Sequence, residues 1–438
     1  MRLFAVTQAL DATVEFTRER QVLRAVVSPL EDGAAASAGT VAEGWFRLRP
    51  PAPGVDPRHS TYFGGMFEWQ TLMLKLAWLE TGPRLRFLSR DERRALLGAP
   101  GMPPRLGWNR ADPFVPIETQ LAAVSPPADG RPARIAVINL FHTAFGDAIL
   151  CLTVLRELRA RLGARLGPVR LELFQNAYDP EVHALYAGAG EVDAIHPLPA
   201  PVARLAEFDG WVDLTEDPVP PGQHWLDGCL HTAGIDPATV PPERKRNRLP
   251  LSADSARRLD GVADAAKAAG APVLLFHPAA STPIRSIPAH RVAPLLDAIL
   301  ARTGWTVACA VPTGYTHPRF VDWSPHSRSF ADFAYLISRA DRVLTVDTSV
   351  YHVADARDVP GVVLFTSIDP AERIRYYPYL HGISLGHAGA LAGVHRSDRP
   401  ADAAAIDALW DGLNLDEVIA AIEAMALKRD AALALAPG

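Results

Sequence analysis

Cysteine is scarce in this 438-residue chain, with only Cys151, Cys229 and Cys309. They are odd in number, far apart and form no CxxC, which argues against a disulfide framework or a thiolate zinc site. A basic surplus is also lacking. Lys plus Arg number 44 against 49 Asp plus Glu, a net charge of −5. That balance speaks against a dedicated nucleic-acid binder and leaves room for a small anionic ligand in a pocket. No apolar run approaches the roughly 20 residues that cross a bilayer. The apolar run of the N-terminal MRLFAVTQALDATVEF is too short for a secretory signal. A soluble protein of the reducing cytoplasm is expected, with at most peripheral membrane contact. What is present is apolar: hydrophobic residues make up 48% and charged residues 21%. That suffices for more than one buried core and excludes a mainly disordered chain. Domains of roughly 100–200 residues would make this two or three.

Residues 1–130 read as an α+β accessory module of unassigned role. TVEFTR (13–18), QVLRAVVS (21–28) and GWFRLRP (44–50) are β-like. PPAPGVDPRHS (50–60) is a Pro-rich break. FEWQTLMLKLAWLE (67–80) has helical periodicity, and DERRALLG (91–98) predicts a second helix ending at Gly98. The pattern changes near 134. RIAVINLF (134–141) is an almost continuous apolar run, as expected of a strand buried on both faces. A helix over 147–163 comes next, with Arg156, Arg159 and Arg161 near its end and Gly163 as C-cap. Beyond it lie a strand over 169–176, a helix over 179–190 and a strand over 210–217.

The alternation restarts after a linker near RNRLPLSAD (246–254). Strands are predicted at 273–278, 306–312, 342–347 and 361–367, and helices at 288–304 and 328–340. A last helix over 415–429 has Asn414 as N-cap and Glu417 as its reciprocal partner. Strand–helix alternation of this kind gives parallel sheets covered by helices. The expected architecture is α/β, with two tandem Rossmann-like domains over 131–252 and 253–438. The final helix is placed to pack back on the first of them. Such domains bind ligands where loops at the carboxyl ends of parallel strands converge and helix N-termini point partial positive charge at the ligand.

Three segments carry candidate chemistry. In NLFHTAFGDAIL (139–150), Gly146 permits close backbone approach and Asp147 opens a helix. It is either a first-turn carboxylate complementing the dipole or a general base at a strand–helix turn. In HPAASTPIRSIPAHR (277–291), Ser281 and Thr282 lie among small residues that let backbone N–H groups reach a phosphate. Arg285 offers a bidentate cation, or is an ordinary surface arginine. In TVDTSVYHVADARDVPGVVLF (345–365), a strand ends in Asp347-Thr348-Ser349 and a helix begins at once, with His352 on its first turn. These residues form either a cap with a core histidine or an anion-binding corner.

In this order and spacing the three segments resemble the bacterial heptosyltransferase-type glycosyltransferases, glycosyltransferase family 9, of GT-B fold. FGDAILCLTVLRELR (145–159) is similar to that family's Ile-Gly-Asp turn and long helix. HPAASTPIRSIP (277–288) resembles its small-residue loop and Lys-Arg-Trp-Pro-like element, with Arg285 in the Lys place and Ile287 in the Trp place. VDTSVYHVADARDVPGVVLFTSIDPAERIRYYPY (346–379) resembles its Asp-Thr-Gly-x-x-His element, with Ser349 in place of Gly, together with the Pro, the strand and the Asp-Pro near a Pro-Tyr beyond it. The resemblance spans about 134–430.

The resemblance implies an inverting, metal-independent glycosyltransferase that needs no cofactor. Its donor is a nucleotide diphosphate sugar, ADP-heptose-like by family default, and its acceptor a saccharide, glycolipid or protein. Asp147 is the implied base, with His142, Thr143 and Gly146 in the acceptor-side loop. Ser281, Thr282, Arg285, Asp347, Thr348, Ser349 and His352 are the implied donor-binding residues. Two other readings stay open: a sugar-nucleotide-binding or scaffold protein of the same fold with residues 1–130 docking a protein partner, and a sugar-nucleotide epimerase.

Overall fold

The computed structural model describes residues 4–6, 10–17, 22–29, 85–87, 95, 98–108, 113–138, 144–175, 180–197, 202–214, 222–386, 391–394 and 400–435. It divides into two compact units. Unit 1 is Met1–Pro218 with Cys229–Thr239, and unit 2 is Val219–Gly228 with Val240–Gly438.

Unit 1 opens with strands β1 (Phe4–Val6), β2 (Leu10–Thr17), β3 (Val22–Pro29) and β4 (Leu85–Phe87). β1 pairs antiparallel with β4, and β2 with β3. The strands expected at 13–18 and 21–28 fall on β2 and β3. The strand expected at 44–50 and the helix expected at 67–80 lie outside the described residues. So does most of 91–98, of which Ala95 is helical.

Next in the chain is a five-stranded sheet of all-parallel pairs: β5 (Arg105–Leu106), β6 (Ala133–Ile138), β7 (Val169–Gln175), β8 (Ala194–Pro197) and β9 (Gly210–Asp213), in the order β5-β9-β6-β7-β8. Its edge strand β5 comes from the stretch the sequence assigned to the N-terminal module. β6 is buried from Ile135 to Ile138, as an apolar run covered on both faces must be.

Helix α1 (Phe145–Leu166) returns from β6, and α2 (Pro180–Ala189) from β7. α1 is an interior helix, with Ile149, Leu152, Leu155, Leu158 and Leu162 fully buried. Each contributes roughly 2 kcal/mol of burial. The expected C-cap at Gly163 is displaced. Leu162 and Leu166 are both buried, so the helix runs on to Leu166, and Gly167 closes it with φ 79, a left-handed turn that costs a side-chain-bearing residue. Its arginines serve neighbours rather than the helix dipole. Arg159 donates to Asp193 and to the carbonyls of Val169 and Glu191, and Arg161 pairs with Glu118.

The division between the units falls within α3 (Trp225–Thr232). Unit 2 continues with α4 (Ala253–Lys267), capped by the Ser252 side chain where the sequence predicted a linker. Its strands are β10 (Val273–His277), β11 (Thr306–Cys309), β12 (Phe320–Asp322), β13 (Arg342–Val346), β14 (Gly361–Phe365) and β15 (Leu380–Ser384). They form one parallel sheet in the order β12-β11-β10-β13-β14-β15.

Unit 2 also carries helices α5 (Ala289–Arg302), α6 (Phe330–Arg339), α7 (Ser349–Ala356), α8 (Pro400–Leu409) and α9 (Leu415–Leu435). Leu274, Phe276, Leu344, Val346, Val362 and Leu364 share one core with Leu296 and Ile299 of α5 and Val418 and Ile422 of α9. The α9 cap is present, with Asn414 Oδ1 accepting from the Glu417 amide at 3.3 Å. Gly361 sits where a Cβ would meet the Val343 carbonyl oxygen at 2.0 Å, so β13 and β14 need a glycine there.

Candidate functional site

In a parallel α/β sheet, ligands bind beyond the carboxyl ends of the strands where strand order reverses. In unit 2 that point lies between β10 and β13. The chain leaves β10 through the loop 278–288 and leaves β13 directly into α7. Both loops carry residues singled out from the sequence.

The 278–288 loop is held from within. The Ala280 amide donates to Ser286 Oγ at 2.9 Å, the Ser286 hydroxyl to the Thr282 carbonyl at 2.9 Å, and the Ile287 amide to the Pro278 carbonyl at 2.8 Å. Ile284 and Ile287 are buried and anchor the loop on the core. This fixes Arg285. Its Nε donates to Thr282 Oγ1 at 3.1 Å and Nη2 to Ser281 Oγ at 2.6 Å. Nη1 crosses to β13's end, donating to the Asp347 carbonyl at 3.0 Å and to Asp347 Oδ2 at 3.3 Å. These bonds use four of the guanidinium's five N–H groups.

Asp347 is itself buried and accepts the Tyr351 hydroxyl on Oδ1 at 3.1 Å. Ser281, Thr282, Arg285 and Asp347 are thus brought together across the switch point. Thr348 is the N-cap of α7 without a side-chain capping bond. Thr348 and Ser349 are half-buried beside the helix's first-turn amides, which have no partner within the helix.

His352, 4% exposed, lies one turn into α7. Tyr377 Oη is 2.9 Å and Asn247 Nδ2 3.5 Å from its Nδ1, and the Tyr351 ring packs 4.2 Å from its own. A turn further on, Asp355 accepts from Arg246 Nε at 3.1 Å, from the Asn247 amide at 2.8 Å and from Asn247 Nδ2 at 3.0 Å. Burial pushes its carboxyl up to about 7 against the pull of Arg246 and Asn247.

Asn247 and Arg246 come from the stretch read as a linker, and Tyr377 from a tyrosine run, so sequence reasoning missed all three as site residues. The neighbours of both stretches interlock too. Lys245 Nζ donates to Asp227 Oδ1 at 2.8 Å and to Tyr376 Oη at 3.0 Å, and Arg246 lies 5.5 Å from the Tyr379 ring. Alternation of basic residues with an Asn, set against Tyr-Tyr-Pro-Tyr, was the available signal.

In unit 1 the order reverses between β6 and β9. His142 and Thr143, expected in the loop after β6, lie outside the described residues. Gly146 and Asp147 are half-buried in the first turn of α1, whose N-cap is Ala144. The hydroxyl of Tyr186, fully buried on α2, is held well above its usual pKa by burial, with the neighbouring Cys151 and the Asp147 charge adding to the effect. At the end of β9 the sequence missed Asp213, a buried carboxylate 3.9 Å from Arg105 of β5. A strand-final acid in GWVD was the signal. Among the described residues, no group of three or more His, Cys, Asp or Glu is arranged to hold a metal. No helix among them is long and apolar enough to cross a membrane.

Two parallel α/β sheets, one with a cation and a helix start facing its switch point, define a class: proteins built on Rossmann-like sheets. Residues 237–401 match glycosyltransferase family 9 (heptosyltransferase), so this stretch of the chain is heptosyltransferase-like, as the resemblance implied. That segment includes Arg285, Asp347 and His352 and begins well beyond Asp147 in the sequence. Among curated proteins none matches the sequence.

Among solved structures, the family 9 glycosyl transferase of Veillonella parvula DSM 2008 is 13% identical, with a TM-score of 0.45, covering 68% of this chain and 97% of its own. E. coli ADP-heptose lps heptosyltransferase II is 13% identical at 0.43, covering 68% and 99%. The iron-containing dodecameric glycosyltransferase TibC of enterotoxigenic E. coli H10407 is 13% identical at 0.41, covering 70% and 80%.

Proposed function

We propose that this chain is an inverting glycosyltransferase that moves a sugar, heptose by family likeness, from a nucleoside diphosphate to a hydroxyl of a saccharide, glycolipid or protein acceptor. The observation that carries the reading is Arg285, locked across the unit 2 switch point by Asp347, Ser281 and Thr282 beside the start of α7. A departing diphosphate gains negative charge as the anomeric bond breaks. A preorganised guanidinium with one N–H to spare, and the first-turn amides of a helix, stabilise that charge without reorganising.

Asp347 acts on the site through Arg285 and Tyr351, since its carboxylate is turned to them. Asp147 takes the proton from the acceptor hydroxyl as oxygen attacks the anomeric carbon from the face opposite the diphosphate. One displacement inverts the anomeric centre. The chain's own residues supply the charge stabilisation in this scheme, and a cytoplasmic location fits a donor of this class.

Titration calorimetry with ADP, UDP and GDP, followed by transfer assays with the matching sugar donors, tests the reading. One nucleoside diphosphate is expected to bind and to stabilise the fold by mass action. If none of the three binds, the donor assignment falls.

A further inference from the structure

We propose that Tyr377 and Asn247 are positioning residues that hold His352 as the Nε2–H tautomer, so that it serves the donor site as a neutral hydrogen-bond donor. This rests on the donor reading of unit 2 for the ligand, and on geometry alone for the tautomer.

The argument begins at Asp355. Three donors converge on its carboxylate: Arg246 Nε on Oδ1, and the backbone and side-chain nitrogens of Asn247 on Oδ2. That fixes which end of the Asn247 amide is NH2, since the opposite orientation would set its carbonyl oxygen against a carboxylate oxygen. An amide NH2 only donates. Its second hydrogen faces His352 Nδ1, 3.5 Å away. The Tyr377 hydroxyl reaches the same nitrogen at 2.9 Å.

With a donor-only group on that side, Nδ1 is the ring's acceptor, Tyr377 O–H donates to it, and the single imidazole proton resides on Nε2. The ring plane is set by Tyr351, packed at 4.2 Å, and Tyr377, at 5.8 Å. An accepting Nδ1 leaves the ring with a single proton, and the ring is buried near the start of α7. A neutral Nε2–H at a helix start matches a phosphate or sugar oxygen, and it cannot remove a proton from an acceptor.

Tyr377 is itself held in place by its neighbour. Tyr376 Oη donates to Asp227 Oδ2 at 2.6 Å and accepts from Lys245 at 3.0 Å. The stretch 245–247 and the tyrosine run together therefore set one histidine's protonation.

Nitrogen-15 NMR of histidine-labelled, ligand-free protein reads the tautomer directly, with His352→Gln identifying the resonance. The Nε2–H pattern is expected near pH 7.5 in the wild type. Tyr377→Phe is expected to mix the two tautomers and to weaken the bound nucleoside diphosphate by about five- to tenfold, with thermal unfolding little changed. His352→Gln, which keeps an N–H near the Nε2 position, should bind within about threefold of wild type. His352→Asn, which places its amide near Nδ1, should lose about tenfold. A wild-type Nδ1–H pattern overturns the inference, and so does a Tyr377→Phe spectrum identical to wild type. Absence of binding by any nucleotide sinks the donor reading instead, because the tautomer is read without ligand.

Discussion

Both sheets carry charged networks, and they lie at different heights along the strands. In unit 1 the main network sits in the body of the sheet. Arg134, second residue of β6, grips Glu172 with two bonds of 2.8 and 3.0 Å, and His196 of β8 adds a third at 2.8 Å. Nearby, Arg131 makes a bidentate pair with Asp209 at 2.7 and 2.8 Å. In unit 2 the Arg285–Asp347 pair lies past the carboxyl ends of β10 and β13. The chemistry of the pairs is alike, but a network along the strands staples the sheet, whereas one beyond their ends faces the switch point, where sheets of this kind bind ligands. In the proposed reading, position along the strand, more than residue type, separates scaffold from candidate site.

Three substitutions test that division. The largest effect is expected at Asp147. Asp147→Asn should lower transfer turnover roughly 100- to 10,000-fold while leaving nucleotide affinity nearly intact, the signature of a lost base. Full turnover would return Asp147 to the role of a helix-start carboxylate. Next is Arg285→Ala, expected to weaken nucleoside diphosphate binding roughly ten- to hundredfold by calorimetry. Unchanged affinity would move the anion site away from this corner.

The smallest effect, and the one that sharpens the contrast, is Glu172→Gln. Arg134 above all, with His196, holds the Glu172 carboxyl down at about 2. Its folded pKa is depressed, so its stabilisation is present above the unfolded value near 4.5 and fades as pH falls toward 2. Urea unfolding of Glu172→Gln should show a loss of about 2 kcal/mol at pH 7, discounted for the partly exposed partners, that shrinks at pH 3. Nucleotide affinity should stay as in wild type. A change in affinity would blur the distinction between staple and site.

The central strands were legible in the sequence for a physical reason. β6, β10, β13 and β14 are buried on both faces and read as apolar runs. Edge strands β12 and β15 are partly exposed, so their sequences carry no such run. α4 was missed because its Ala, Asp and Arg residues bury only Ser255, Leu259, Ala263 and Ala266. For the site, each loop announced itself by its small and polar residues after a strand. That Arg285 reaches Asp347, or that Asn247 and Tyr377 meet at one histidine, depends on strand order, which no local pattern encodes.

The strand order has one more consequence. Because β10 and β13 are neighbours in the sheet but not in the chain, the corner that joins Arg285 to Asp347 costs loop-closure entropy over the segment between them. A chain that ends between Arg285 and Asp347 contains the arginine loop but no partner for it across the sheet.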